Sequence, residues 1–530
     1  MPSADTARTA TRQIARGAAV VILAYLVTTP IRLFSTILTA RIFGTGPASE
    51  AFFASNRFAE ILFNLVAGGA LGSAFIPTFT ALLAKKDRVT AWKLASAITN
   101  LVLLVLSLLS LLAIVFARQV VHYILAPGFS LVDPAKEALA AELLRIQLPS
   151  ALVFGLSGLF MGILNAHQHF LLPALAPAMY NLGWIFGLLV LSPSLGIHGL
   201  AWGVLLGAGL HMLIQLPMVF KLPGRRYSLT LGLKIEQVRE VLVLMLPRLL
   251  GVAVVQLNFL LNTYLASLQP EGSVTAITLA WTVMLMPQAA IAQSIATAAL
   301  PTFSAQAARG KLEHMRVSLA ASLRGVLLLA IPTSFGLILL RQPLVQLLFQ
   351  HGGAFNDQST RMVTWALLWY GAGLVGHCIV EIISRAFYAL HDTRTPVMVG
   401  IAAMSMNLVF SLAFSALFRS IGWLPHGGLA LANSLATSIE CGILLSIMRK
   451  RLQGLEGKSI IVLVGKALLA ASLMSISLWA WMTYSVRYNS AIIALGGILV
   501  GAVVYGIVVS LSGVQEISSL WVSVRRKMHI

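Results

Sequence analysis

The sequence predicts an all-α polytopic membrane protein, and three observations carry that reading. Of 530 residues, 58% are hydrophobic and only 10% are charged, an apolar excess that soluble globular chains of this size do not show. The apolar residues fall into runs long enough to cross a bilayer, for which about 20 residues suffice, and roughly fourteen such runs can be counted. Alternate loops between the runs are basic. A formal net charge of +20 would suggest nucleic acid on a soluble face. Here it lies between apolar runs, as in a cytoplasmic membrane flank, so no nucleic-acid partner is expected.

Residues 1–16 are polar and carry Arg8, Arg12 and Arg16, a cytoplasmic N-terminus. The run 17–43 is longer than a signal core and many spans follow it, so it reads as a retained first helix. With runs 50–84, 92–117, 138–165, 171–192 and 197–220 it makes a six-helix N-lobe at 17–220. Residues 221–235, with Lys221, Arg225, Arg226 and Lys234, read as a cytoplasmic linker. Runs 236–268, 273–305, 316–340, 360–390, 394–417 and 425–450 make a C-lobe at 236–450. The last two runs, 459–485 and 489–513, form an appendage at 451–513, and 514–530 is a cytoplasmic tail. Loops with Lys85, Lys86 and Arg88, with Arg309 and Lys311, and with Arg449, Lys450 and Arg451 alternate with loops 44–49, 192–196, 269–272 and 352–358, which have no lysine or arginine. That bias places both termini in the cytoplasm of a multi-pass protein of the cell inner membrane. Cys378 and Cys441 fall inside apolar runs and read as packing residues, not as a disulfide framework.

An internal repeat appears at a spacing of about 224 residues. Ala74-Phe75-Ile76-Pro77-Thr78-Phe79 recurs as Ala298-Ala299-Leu300-Pro301-Thr302-Phe303, and Ala166–His169 with Pro173 recurs as Ala389–Asp392 with Pro396. The offset moves each segment by an even number of helices, so the copies share one orientation. Two parallel six-helix lobes related by a pseudo-twofold along the membrane normal, with two C-terminal helices outside the repeat, are expected.

Polar groups inside the first two runs mark a candidate cavity, because intramembrane charge is expensive. Arg32 follows Pro30 near the middle of the first run. It is read as a cavity-facing, anion-handling group, against a structural ion pair. Arg57 and Glu60, spaced i,i+3, are either a self-neutralised pair or a substrate contact, and Asn64 lies one turn further on. Arg248 follows Pro247, whose missing N–H frees a carbonyl and permits a kink; an interfacial anchor is the competing reading. Gly68, Gly69 and Gly72 form a small-residue patch that serves packing or a hinge. Glu381 and Arg385, spaced i,i+4, read as a structural ion pair. Glu142 and Arg145 snorkel near a helix end, and His167 and His169 are explained by their turn, so no metal and no cofactor are expected. Neither a Walker loop nor an HExxH pair is present, which argues for a transporter and against an enzyme.

Most of the chain resembles the MurJ/MviN family of lipid II flippases, within the multidrug/oligosaccharidyl-lipid/polysaccharide exporter superfamily. The resemblance is carried by Ala40-Arg41-Ile42-Phe43-Gly44 with Glu50-Ala51-Phe52-Phe53, by the Ala74–Phe79 proline motif, and by Pro247-Arg248 with Gly251, Gln256 and Asn262. Gly272-Ser273-Val274 and Leu300-Pro301 add to it. It implies a V-shaped pair of lobes, a central cavity for a pyrophosphate-sugar headgroup, and a groove beside the last two helices for a polyprenyl tail. The family's cavity arginines in the first run fall here on Thr29 and Ser35, its arginine pair in the second on Phe63 and Asn64, its glutamate on Gly68, and its Asp-Arg pair in the eighth on Trp281 and Thr282.

The expected function is translocation of undecaprenyl-pyrophosphate-linked peptidoglycan precursor by alternating access. Two alternatives stand beside it: an exporter of another polyprenyl-linked glycan or amphiphilic drug, and a non-transporting membrane scaffold for cell-wall synthesis. The partners implied are a lipid-linked oligosaccharide, with a coupling ion and cell-wall synthesis proteins as further candidates.

Overall fold

The computed structural model describes residues 24, 27–65, 71–350 and 352–514, without the side chains of residues 71–73, 132, 247, 248 and 250. The described residues form helices joined by short turns, with no strand among them. The main helices are α1 (27–43), α2 (Pro47–Phe63), α3 (Leu71–Ala84), α4 (Arg88–Val115), α5 (Pro134–Ala166), α6 (Leu171–Leu195), α7 (Ile197–Lys221) and α8 (Glu236–Ser267). They continue as α9 (Ser273–Ala308), α10 (Leu312–Leu339), α11 (Asp357–Ala389), α12 (Arg394–Ser420), α13 (His426–Arg451), α14 (Gly457–Tyr484) and α15 (Ser490–Leu511). Among the described residues, eleven helices are long and apolar enough to cross a membrane. A twelfth span is α8, whose halves Glu236–Leu246 and Gly251–Ser267 meet at 44° where Pro247 interrupts the run.

The helix starts follow local chemistry. The Asp87 carboxylate accepts from the Thr90 amide at the start of α4, Asp133 from Ala135 before α5, Asn356 from Ser359 before α11, and Asn489 from Ile492 before α15. Each satisfies an amide that a helix N-terminus otherwise leaves unpaired. The tight turn between α1 and α2 uses Gly44 at φ 61°, Pro47 in the first turn, and the Ser49 hydroxyl donating to the Gly44 carbonyl at 2.8 Å.

The repeat read from the sequence is also written in the backbone. After α3, Lys86 is left-handed (φ 60°), its amide bonds Leu83, and the Asp87 amide bonds Leu82. After α9, Gly310 (φ 67°) and Lys311 make the same two bonds to Ala307 and Gln306. Gln168 and His391, at φ 61° and 59°, close α5 and α11 in the same way. All four are Schellman caps at the repeat spacing. In the turn after α11, Asp392 also pairs with Arg451. Burial opposes its charge, but bonds from the Thr395 hydroxyl, the Thr395 amide and Arg451 outweigh it and hold the carboxyl below its ordinary range.

The chain divides into two compact units, 1–271 and 272–530. Helix α8, expected to open the second lobe, lies within the first unit, where a Cβ on Gly128 would stand only 2.0 Å from the Ser267 carbonyl oxygen. The basic linker is not a free tether. Asn100 of α4 donates to the carbonyls of Ser228 (3.0 Å) and Thr230 (2.8 Å), the Ser228 amide donates to Ser96 (3.1 Å), and Trp92 donates to the Pro223 carbonyl at 3.4 Å. A strand-like strap thus lies along one end of α4.

Candidate functional site

The polar groups of α1, α2 and α8 belong to the first unit. Arg32 lies twelve residues from Gly44 along α1, roughly 18 Å of helical rise, and Arg57 lies eleven residues from Gly46 along α2, roughly 16 Å. The two guanidiniums therefore start from matched depths on helices that run in opposite directions. Arg32 is exposed, and among the described residues its guanidinium has no ion-pair partner. Its carbonyl accepts from the hydroxyls of Ser35 (2.7 Å) and Thr36 (3.1 Å).

Arg57 and Glu60 pair at 2.8 Å, and Asn56, which is buried, donates to the other oxygen of Glu60 at 2.8 Å. The Arg57 guanidinium stands 5.3 Å from the centroid of the Phe259 ring on α8, and its Nε is buried without a hydrogen-bond partner. An orphaned buried donor on a charged group is costly, and a ligand that supplies an oxygen removes that cost. Glu60 is 43% exposed, so the pair is open enough to exchange partners. Asn64 is half-buried at the start of a π turn that ends α2, and the repeat-related α9 contains a π turn at Ala289–Gln293. Such turns sit frequently at functional sites. Gly68 and Gly69 lie outside the described residues; Gly72 is helical in α3. Pro247 and Arg248 are placed in α8 by their backbone alone, and their side chains lie outside the description. Glu381 and Arg385 bond at 2.8 Å in the second unit, away from these residues in the chain.

The positions that match the family's charged residues hold packed side chains. Ser35 is buried and donates to the amide oxygen of Asn181 at 3.1 Å. Phe63 packs on Phe154, with centroids 4.7 Å apart, and Trp281 packs on Tyr370 (5.2 Å) and His377 (5.4 Å). Aromatic contacts thus hold two of these positions, Phe63 and Trp281.

Sequence reading missed a buried ion pair. Glu50 and Lys136, 1% and 4% exposed, join the start of α2 to the start of α5, and the Lys136 ammonium lies 4.1 Å from the centroid of the Phe129 ring. The neighbouring Glu137 accepts from Arg118 (3.3 Å) and approaches His122 (3.1 Å). Glu50 follows the α1–α2 turn that carries the family resemblance, yet its partner is 86 residues away and in a loop-proximal stretch that reads as solvated.

Comparison with known proteins places this arrangement. Residues 39–499 match the family model described as lipid II flippase MurJ. The lipid II flippase MurJ of Burkholderia cenocepacia is 31% identical over 82% of this chain and 85% of its own length. The probable lipid II flippase MurJ of Bdellovibrio bacteriovorus is 30% identical over 92% of each chain. A solved structure titled lipid II flippase MurJ, inward closed conformation, superposes with a TM-score of 0.78 at 25% identity, covering 93% of this chain and 98% of that one. The chain is a multi-pass membrane protein that belongs to the MurJ lipid II flippase family.

Proposed function

We propose that this chain moves lipid II, the undecaprenyl-pyrophosphate-linked peptidoglycan precursor, outward across the inner membrane by alternating access, making and breaking no covalent bond. The observation that carries the reading is family membership over residues 39–499, with relatives named as lipid II flippases at 30% identity or more. The basic loops support cytoplasmic termini. The repeat supports two lobes, 17–220 and 236–450, with 451–513 as a flank for the lipid tail. A coupling ion and cell-wall synthesis proteins are natural partners of such a carrier.

Arg32, Arg57, Glu60, Asn64 and Arg248 form the headgroup site in this reading. Glu60 holds Arg57 while the site is empty and yields it to the diphosphate, whose oxygens satisfy the orphaned Arg57 Nε. Charge-assisted bonds of this kind contribute about 1.5–3 kcal/mol each, roughly tenfold or more in affinity. Purified protein binding labelled lipid II should therefore weaken by that factor in Arg32→Ala and in Arg57→Ala. Arg32→Ala and Arg248→Ala should combine non-additively, because they share one ligand. Parent-like binding by both Arg32→Ala and Arg57→Ala would remove these residues from the site.

A further inference from the structure

We propose that Glu440, in the second unit, is a proton-binding carboxyl that takes a proton from water and returns it to water during the transport cycle. The place of the site rests on geometry, and its purpose rests on the flippase reading above.

Glu440 lies on α13, nine residues before Arg449 and fourteen after His426, roughly 13 Å and 21 Å along the helix. It is therefore set well inside an apolar span, where a lone charge is expensive and marks function by default. The residue is half-buried, and among the described residues no hydrogen bond or ion pair reaches its carboxylate.

The groups around it explain why no cation answers it. From α11 come Glu381, Arg385 and Tyr388. Arg385 is engaged by Glu381 at 2.8 Å, and the Tyr388 phenol lies in the field of both Glu381 and Glu440. From α12 comes Gly400: a Cβ there would stand 3.6 Å from Glu440 Oε1, so the backbone of α12 closes directly over the carboxyl. The first part of α9, Ser273–Gln288, also packs against α13 and carries no titratable side chain. On α13 itself the neighbour is the Cys441 thiol. Arg385 is thus taken by Glu381, and Glu440 is left without a cation.

A metal ion needs several oxygen ligands in a shell, and among the described residues no three His, Cys, Asp or Glu side chains gather. A proton needs only the carboxyl oxygen, and binding it removes the uncompensated charge. The step balances as one O–H bond made to Glu440 from hydronium or water, and the same bond broken when water returns.

Infrared difference spectra of the full chain in nanodiscs, acid minus alkaline, test the site. Beside the bands of the water-exposed carboxyls, the parent should show a separate carbonyl component from a protonated acid in apolar surroundings; Glu440→Gln should lose that component, and Glu440→Asp should keep it at a shifted pH midpoint. An unchanged component in Glu440→Gln overturns the proposal. In proteoliposomes containing lipid II, an imposed pH gradient should change the parent's translocation rate and leave Glu440→Gln unaffected. If the component depends on Glu440 but the gradient response survives its removal, the role in the transport cycle is overturned. A parent that shows the component and moves no lipid II defeats the flippase reading instead.

Discussion

Lys136 and Glu50 are the most deeply buried opposite charges among the described ion pairs. Removing one partner strands the other in low dielectric, which costs about 3–5 kcal/mol, whereas replacing both with apolar residues is often neutral. Lys136→Met should therefore lower the thermal unfolding midpoint sharply, and Glu50→Leu added to it should restore much of the loss. Equal and additive losses, measured in detergent on both singles and the double, would show that the two charges do not act as a pair. Sequence showed half of this chemistry. Arg57 with Glu60 and Glu381 with Arg385 were legible because helical spacing puts i,i+3 and i,i+4 residues side by side. Glu50 with Lys136 was not, because nothing local links residues 86 positions apart. Asn56, whose bond to Glu60 completes the carboxylate, stands at the same i,i+4 spacing. The lack of a local link also hid the rings of Phe154, Tyr370 and His377, which pack on Phe63 and Trp281.

At the scale of elements, the apolar runs and their capping residues fixed where most helices begin and end, since length, periodicity and an N-cap are all local signals. The bend in α8 was foreshadowed by Pro247. The strap was not foreshadowed. Asn100, Ser96 and Trp92 look like ordinary residues of an apolar helix start, yet they bind five backbone groups of the linker. Tyr227 adds a bond from its hydroxyl to the Asn100 amide oxygen. At about 1 kcal/mol net per bond, Asn100→Ala should weaken the strap by roughly 2–3 kcal/mol. Hydrogen exchange at residues 223–231 should rise by one to two orders of magnitude, with α4 itself unchanged. Parent-like protection of that segment would mean that the linker is held by something other than Asn100.

The whole molecule carries two copies of one helical plan, and each copy closes its proline-containing helix with the same left-handed cap. That plan was legible because the Ala74–Phe79 and Ala298–Phe303 motifs and the turns after α5 and α11 survive in both copies. The grouping of α8 with the first unit was not legible, because it depends on contacts such as Arg57 with Phe259 and Gly128 with Ser267. The central claim is that this chain moves lipid II. Its most direct test is growth of cells depleted of their own lipid II flippase and expressing this chain at verified levels in the membrane. The account predicts that the parent restores growth and outward lipid II translocation, and that Arg32→Ala, equally expressed, does not. Failure of the well-expressed parent to restore either one would contradict it.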